Sequence, residues 1–395
     1  MKNNTKIQDE NLKILVINYE FPPLGGGGGV ASYDFALEWK KYGKIDVLTS
    51  NFKGLNSFEN INGINIFRTK IFFRKSRDTA TFLSMLSFLI TGFLMGVKLC
   101  KKNRYNIINT HFAIPTGPLG YILSKIFKIP NVLSLHGGDI YDPSKKMSPH
   151  KNPIFGRIVK FILNRADRIV AQSNSTRDNA IKYYSPNKDI AIIPLGFHPP
   201  IISKKNRNHI GLDKDSFYFV TIARLIKRKS IDTILHAMSK INNKKIKFIV
   251  MGDGPEMDFL VKLTNELGLQ DRVIFLGHTI DDDKYVHLKN SDSFILIPMN
   301  EPFGIVFMEA MFAGLPIICS NSGGQTDFLF DGKNALLVEF GDIESCKNSM
   351  LKIYKDGDLR KMMSKNNKEK IKDFYAESVA YEYIRIFREL KKSDI

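Results

Sequence analysis

Glu301 and Glu309 stand eight positions apart in the stretch EPFGIVFME, the part of this 395-residue chain richest in chemistry. A loop carboxylate and a second one inside the following helix can both reach a polyhydroxyl ligand, because carboxylates accept hydrogen bonds from ribose and sugar hydroxyls. Gly304 opens that helix, so the amides of Phe303, Gly304 and Ile305 are placed to meet a phosphate. Glu309 has Val306, Met308, Ala310 and Met311 for neighbours. A carboxylate in such company is expected to be buried and to need partners; alone, it would read as a solvated helix position. Upstream, ARLIKRKS at 223–230 sets Arg224 at a strand end and Lys229 at the start of the next helix. A guanidinium fork and an ammonium point charge five residues apart suit a diphosphate. The bland alternative is a solvated basic turn, which is how Lys227 and Arg228 read.

Two further candidates lie in the first half. FPPLGGGGGV puts Gly25, Gly26, Gly27, Gly28 and Gly29 between the first strand and a helix. Glycines there let a ligand approach the backbone, and their amides converge at a helix N-terminus. Contact with phosphate or substrate, dinucleotide binding and a flexible turn without ligand remain open. Pro22-Pro23 and the lack of an acidic residue at Thr49-Ser50-Asn51 weigh against the dinucleotide fingerprint. His136, followed by Gly137-Gly138-Asp139, is either a site group or a core histidine capping a strand end.

Placing these residues falls to strands that alternate with helices. Expected strands include Lys13–Asn18, Ile45–Thr49, Ile64–Ile71 and Phe217–Ile222; expected helices include Val30–Lys41, Ala80–Lys101 and Ile154–Arg165. Runs such as IKFIVM and SFILIP are apolar on both faces, as parallel strands buried on both sides should be. This rhythm predicts an α/β fold with right-handed crossovers. It is too long for one sheet, so two doubly wound, Rossmann-like domains are expected to face each other across a cleft, with ligands at the carboxyl ends of the strands. The expected boundaries are 1–195 for an acceptor-binding domain, 196–215 for a linker with Pro199-Pro200 and Lys204, Lys205 and Arg207, and 216–375 for a donor-binding domain. A C-terminal helix at 376–395 is expected to return to the first domain.

In their order along the chain these motifs resemble the retaining glycosyltransferases of family 4, within the GT-B superfamily of glycogen synthase and phosphatidylinositol mannosyltransferase. The likeness runs through nearly the whole chain: FPPLGGGGG, the HGGD of His136–Asp139, RADRIVAQS at 165–173, IPLG at 193–196, ARLIKRKS, MGDGPEMDFL at 251–260, and the Glu-x7-Glu stretch with GGQTD after it. The resemblance implies that Arg224 and Lys229 bind the donor diphosphate and stabilise the departing nucleoside diphosphate. It further implies that Glu309 holds the ribose hydroxyls, that Glu301 contacts the donor sugar, and that His136 faces that sugar. Gly25–Gly29 would lie between donor phosphate and acceptor. Members usually carry Gly where Ala223 and Ser230 stand, and Glu where Asp327 stands; Ser230 is expected to cap the following helix instead.

The expected function is transfer of a hexosyl group, with retention, from a UDP- or GDP-linked sugar to a hydroxyl of a glycan or lipid-linked acceptor, in bacterial surface polysaccharide assembly. Alternatives are a non-catalytic nucleotide-sugar-binding partner of an active transferase, or a nucleotide-sugar epimerase or phosphorylase of the same shape. Basic side chains stand in for a divalent metal, so neither metal nor other cofactor is expected; the Asp281–Asp283 run reads as a helix start.

Charge bears on the partners. Lys and Arg number 58 against 40 Asp and Glu, a net +18. Residues 1–200 carry 28 basic and 13 acidic residues, a net +15. Nucleic acid is not the expected partner, since no aromatic-interleaved basic motif or zinc module is present. The uncharged segment Thr79–Val97 between basic clusters reads as a core helix, as a peripheral contact with an anionic membrane through residues 68–104, or as a span. Three scattered cysteines and a polar Met1–Asn11 point to a cytoplasmic protein, at most peripheral at the inner face of the membrane.

Overall fold

The computed structural model describes residues 12–77, 80–279 and 281–393, so Met1–Asn11 and Thr79 of the segments above lie outside the described residues. In chain order the first half holds β1 (Leu12–Ile17), α1 (Gly27–Trp39), β2 (Gly43–Ser50), β3 (Phe58–Ile61), β4 (Ile64–Thr69), α2 (Phe82–Lys102), β5 (Ile107–His111), α3 (Gly117–Phe127), β6 (Asn131–Leu135), α4 (Pro153–Arg165), β7 (Arg168–Ala171), α5 (Asn174–Tyr184) and β8 (Ile190–Ile192). The second half holds β9 (Phe217–Ile222), α6 (Ile231–Ser239), β10 (Ile246–Met251), α7 (Met257–Glu266), β11 (Val273–Gly277), α8 (Asp281–Lys289), β12 (Ser293–Leu296), α9 (Ile305–Ala313), β13 (Ile317–Ser320), β14 (Ala335–Val338), α10 (Ile343–Lys355), α11 (Gly357–Lys370) and α12 (Ala376–Ser393). Two units result. The first runs to Gly196 and resumes at Ala376; the second is Phe197–Tyr375.

Unit 1 is built on a sheet in the order β3-β4-β2-β1-β5-β6-β7-β8. Seven strands are parallel and reflect the doubly buried runs of the sequence. The eighth, β3, pairs antiparallel with β4 and has no counterpart in the sequence reading. Its signal was present in Asn62-Gly63, which take φ of +53° and +84°, the left-handed pair that a two-residue hairpin turn demands. The sequence order jumps between neighbours β1 and β5, which makes their carboxyl ends the switch point. Helix α12 covers α1: the Trp39 indole N–H donates to the Ala380 carbonyl at 3.2 Å, and Tyr383 and Phe387 pack on the Trp39 ring at 5.2 and 5.1 Å. Helix α2 starts with a reciprocal Thr81/Ser84 capping box and turns Ser84, Phe88, Gly92 and Gly96 inward. A Cβ on Gly92 or Gly96 would come within 2.9 Å of Leu119 or 2.4 Å of Leu123, so the glycines let α2 lie close against α3.

Unit 2 has the order β11-β10-β9-β12-β13-β14, all parallel. Renumbered within the unit this is 3-2-1-4-5-6, the dinucleotide-fold order with its switch point between β9 and β12. The expected linker corrects in one respect: residues from Phe197 onward belong to unit 2. Arg207 explains their attachment, since its guanidinium donates to the Asn290 carbonyl at 2.8 Å and pairs with Asp292 at 2.6 Å.

Candidate functional site

In unit 2 the site residues sit on the loops that leave β9, β12 and β13. The loop after β9 ends in a short 3-10 turn, Lys227–Lys229. Arg228, read from sequence as a solvated cation, instead braces that turn: its guanidinium donates to the Asn300 carbonyl at 3.0 Å, and its own carbonyl accepts from the Met299 amide at 2.8 Å. These two bonds tie the β9 loop to the β12 loop across the switch point. Lys229 is thereby brought to Glu301, and the ammonium donates to Oε2 of the carboxylate. Both residues are only 9% exposed, so each charge depends on the other or on a ligand.

The β13 loop closes on the same place. The Gly324 amide donates to the Glu301 carbonyl at 2.7 Å. Gly323 has φ +122°, and a Cβ there would stand 2.6 Å from that carbonyl oxygen. The Gly-Gly pair thus lets one loop backbone lie on the other. Gly304, the residue before α9, has φ +92°, and a Cβ would meet the Phe307 ring at 2.5 Å; no other residue opens this helix so tightly. Helix α9 follows with Phe307, Met308, Glu309, Ala310 and Met311 all buried. Phe303 is a core side chain, packed at 5.2 Å on Phe328, and so offers its backbone alone. The first amides of α9, at Ile305 and beyond, form the positive end of a helix dipole beside the Lys229–Glu301 pair.

Glu309 is buried as the apolar run demands. Its partner is Lys284 of α8, which donates to Oε1 at 2.7 Å, joined by the Tyr285 hydroxyl at 3.3 Å. Sequence reasoning missed Lys284 and Tyr285; next to the Asp281–Asp283 run nothing marked them. Glu301 and Glu309 therefore hold separate cations. Arg224 leaves the end of β9 as an exposed side chain. Asp327 closes the 3-10 turn Gly324–Asp327. The cap expected of Ser230 is corrected: its side chain makes no capping bond, and the residue sits at φ +53° and ψ +43°. In that left-handed conformation the hydroxyl is not aimed at the helix amides, which is why glycine suits the position.

In unit 1, His136 leaves β6 and His111 ends β5. His111 Nδ1 and His136 Nε2 lie 2.8 Å apart, one ring donating to the other. Burial lowers His136 to about 4. Burial, aided by His136, also lowers His111 well below the ordinary imidazole range. Both rings are neutral at pH 7, so His136 can offer a hydrogen bond but not a positive charge. Asp139 turns back beneath it, accepting from the amides of Ala113 at 2.6 Å and His136 at 3.0 Å. Burial nevertheless lifts its carboxyl to about 6. Phe112 packs at a tilt on His136, 4.4 Å between ring centres, from a left-handed backbone, φ +72°. A non-glycine residue is rarely held there, and the conformation is strained.

The glycine run meets the same cluster. Helix α1 begins inside it, at Gly27 rather than Val30. A Cβ on Gly28 would strike the Phe112 ring at 2.5 Å, so the loop and His136 are joined through Phe112. The Gly26 amide, at the head of α1, donates to the Glu20 carboxylate at 3.2 Å. Glu20 and His111 were not singled out from sequence. His111 ends the strand IINTH, and nothing beside it in the sequence suggests a partner 25 residues away.

Against known proteins, two family models match: "Glycosyltransferase Family 4" over residues 25–199 and "Glycosyl transferases group 1" over residues 202–370. The N-acetyl-alpha-D-glucosaminyl L-malate synthase of Bacillus anthracis is 26% identical over 305 residues, 75% of this chain and 78% of that protein. The UDP-Gal:alpha-D-GlcNAc-diphosphoundecaprenol alpha-1,3-galactosyltransferase of Escherichia coli is 29% identical over 287 residues, 69% and 72% of the two chains. Sucrose-phosphate synthase from Thermosynechococcus elongatus has the same fold, with a TM-score of 0.86 at 20% identity, covering 97% of this chain and all of that one.

Proposed function

The chain belongs to the family-4-like glycosyltransferases of GT-B fold, and from that premise we propose that it moves a hexosyl group from a UDP- or GDP-linked sugar to a hydroxyl of a glycan or lipid-linked acceptor, with retention at the anomeric carbon. The observation that carries this is the buried Lys229–Glu301 pair at the unit 2 switch point, beside the head of α9. A diphosphate entering there meets Lys229, the α9 amides and, from the end of β9, Arg224. As the glycosyl–phosphate bond breaks, negative charge grows on the leaving oxygens. Cations and amides already in place stabilise it without reorganisation. They supply the positive charge that a divalent metal supplies elsewhere, so the reaction is proposed to run without one. Glu309, fixed by Lys284, accepts from the ribose hydroxyls. Glu301 contacts the donor sugar. The acceptor hydroxyl attacks from the face that the diphosphate leaves, which delivers its proton to the departing phosphate and retains configuration.

A lipid-linked acceptor in envelope polysaccharide assembly is supported by the relative whose name carries a diphosphoundecaprenol acceptor and a UDP-linked donor, and the proposed place is the cytoplasmic side. The test is a panel of UDP-, GDP- and ADP-sugars scored by thermal shift, followed by transfer assays in excess EDTA. Arg224→Ala is expected to lower kcat about 100-fold with little change in acceptor KM. Wild-type turnover in that variant refutes the role, and activity only with added metal refutes the metal-free mechanism.

A further inference from the structure

Among the described residues, α2 alone is long and apolar enough to cross a bilayer, and it is apolar on its outer face as well as its inner one. Ser84, Phe88, Gly92, Gly96 and Leu99 face inward. Large apolar residues also face out: Phe82, Leu83, Leu86, Ile90 and Leu94 are 54, 54, 42, 68 and 65% exposed. A surface helix of a soluble protein normally carries charged and polar residues on that outer face. The neighbouring helices repeat the pattern. Ile122 and Ile126 of α3 are exposed, as are Ile154 and Phe161 of α4. The three helices lie side by side, α3 meeting α4 where Tyr121 packs edge-on against Phe161 at 5.2 Å. The first turns of α2 and α4 meet at Phe82 and Phe155, 5.8 Å apart.

Charge selects the occupant. Between residues 79 and 166 the chain carries 12 Lys and Arg but no Asp or Glu apart from Asp139 and Asp142. Both of those are buried, whereas Lys98, Lys101, Lys102, Lys125, Arg157 and Lys160 are all exposed. An apolar face ringed by cations, with no exposed carboxylate in the segment, matches the acyl boundary and phosphate headgroups of an anionic bilayer. The exposed Phe72 and Phe73 extend this face toward the glycine run, since the loop they share ends at Arg77, whose carbonyl accepts from the Gly25 amide.

We infer that the outer face of α2, α3 and α4 docks unit 1 on an anionic membrane, with α2 lying in the interface rather than spanning it. A span would have to tear out Phe88, which is fully buried and packed edge-on to Tyr19 at 5.3 Å, together with the hydrogen bond between the Tyr19 and Ser84 hydroxyls. This goes beyond the transfer reaction, and its test needs no turnover.

The experiment is flotation of the full chain with phosphatidylcholine vesicles, with and without phosphatidylglycerol, at low and high salt. The variants are Ile90→Asp/Leu94→Asp, which alters exposed positions only, and Lys98→Gln/Lys101→Gln/Lys102→Gln. The chain is expected to float with the anionic vesicles and be released by salt. The Asp variant should lower the bound fraction about tenfold, and the Gln variant should remove the preference for phosphatidylglycerol. Thermal unfolding of each variant is measured alongside, and both are expected to melt with the wild type. Binding that ignores lipid charge, or that survives the Asp substitutions, overturns the inference. So does a stable dimer in sedimentation that those substitutions dissociate, because the occupant is then a second copy.

Discussion

Glu301→Gln separates two uses of one buried ammonium. In the unliganded protein Lys229 is held by Glu301, the two side chains being 11% and 12% exposed. Removing one member of a buried pair costs about 3–5 kcal/mol. The amide keeps an oxygen that can accept from the ammonium, and the residual exposure admits water, so the cost falls to the bottom of that range or just below it, about 2–3 kcal/mol. Urea unfolding followed by fluorescence should show the unfolding free energy fall by that amount, as a lower midpoint with the slope unchanged. Ligand binding should move the other way. A nucleoside diphosphate must compete with Glu301 for Lys229 in the wild type but not in the variant. If about half the lost stabilisation is recovered on binding, UDP or GDP binds about tenfold tighter to Glu301→Gln. Sugar transfer should still collapse, because the donor sugar loses its carboxylate. Calorimetric titration and a transfer assay read both effects. An unchanged urea midpoint, or a diphosphate that binds the variant no better, refutes the claim that the pair and the phosphate share one cation.

Two further outcomes follow from local geometry. Ser230→Gly should stabilise the protein, because Ser230 holds φ +53° with no cap bond. The left-handed backbone costs an L-residue roughly 1–2 kcal/mol and glycine returns about half in unfolded-chain entropy, so a gain of about 0.5–1 kcal/mol is expected in denaturant unfolding; a loss contradicts it. The HGGD turn should show opposed pH dependences. Asp139, raised by burial from 3.8 to about 6, holds its proton more tightly when folded, so its contribution is lost as pH rises through that window. His136, lowered by burial from 6.5 to about 4, makes stability rise with pH between those values. Asp139→Asn removes the first effect alone, and its unfolding free energy should climb more steeply from pH 4 to 6 than that of wild type. Parallel curves would falsify the assignment.

The primary structure alone determined most of the elements, β3 apart, and the chemistry that depends on near neighbours. Doubly apolar strand runs, helix periods between them and glycines after strands are local signals, and they placed Glu301, Gly304, Arg224 and Lys229 past the carboxyl ends of strands and Glu309 in the helix that follows. The Glu309 environment was legible because its neighbours along the helix make its burial. Only tertiary structure decided which charges meet. Lys229 reaches Glu301 across 72 residues, Lys284 reaches Glu309 across 25, and His111 reaches His136 because β5 and β6 are adjacent in the sheet. Strand order, which no local pattern encodes, makes these pairs. The same holds for Arg228, whose sequence neighbours suggested solvent, and for Ser230, whose backbone sign is imposed by the turn that brings Lys229 inward. It holds too for α2, where the glycines that look like gaps in an apolar run turn out to be the packed face. Composition says that a helix has two sides; only the partner helix says which one is inside.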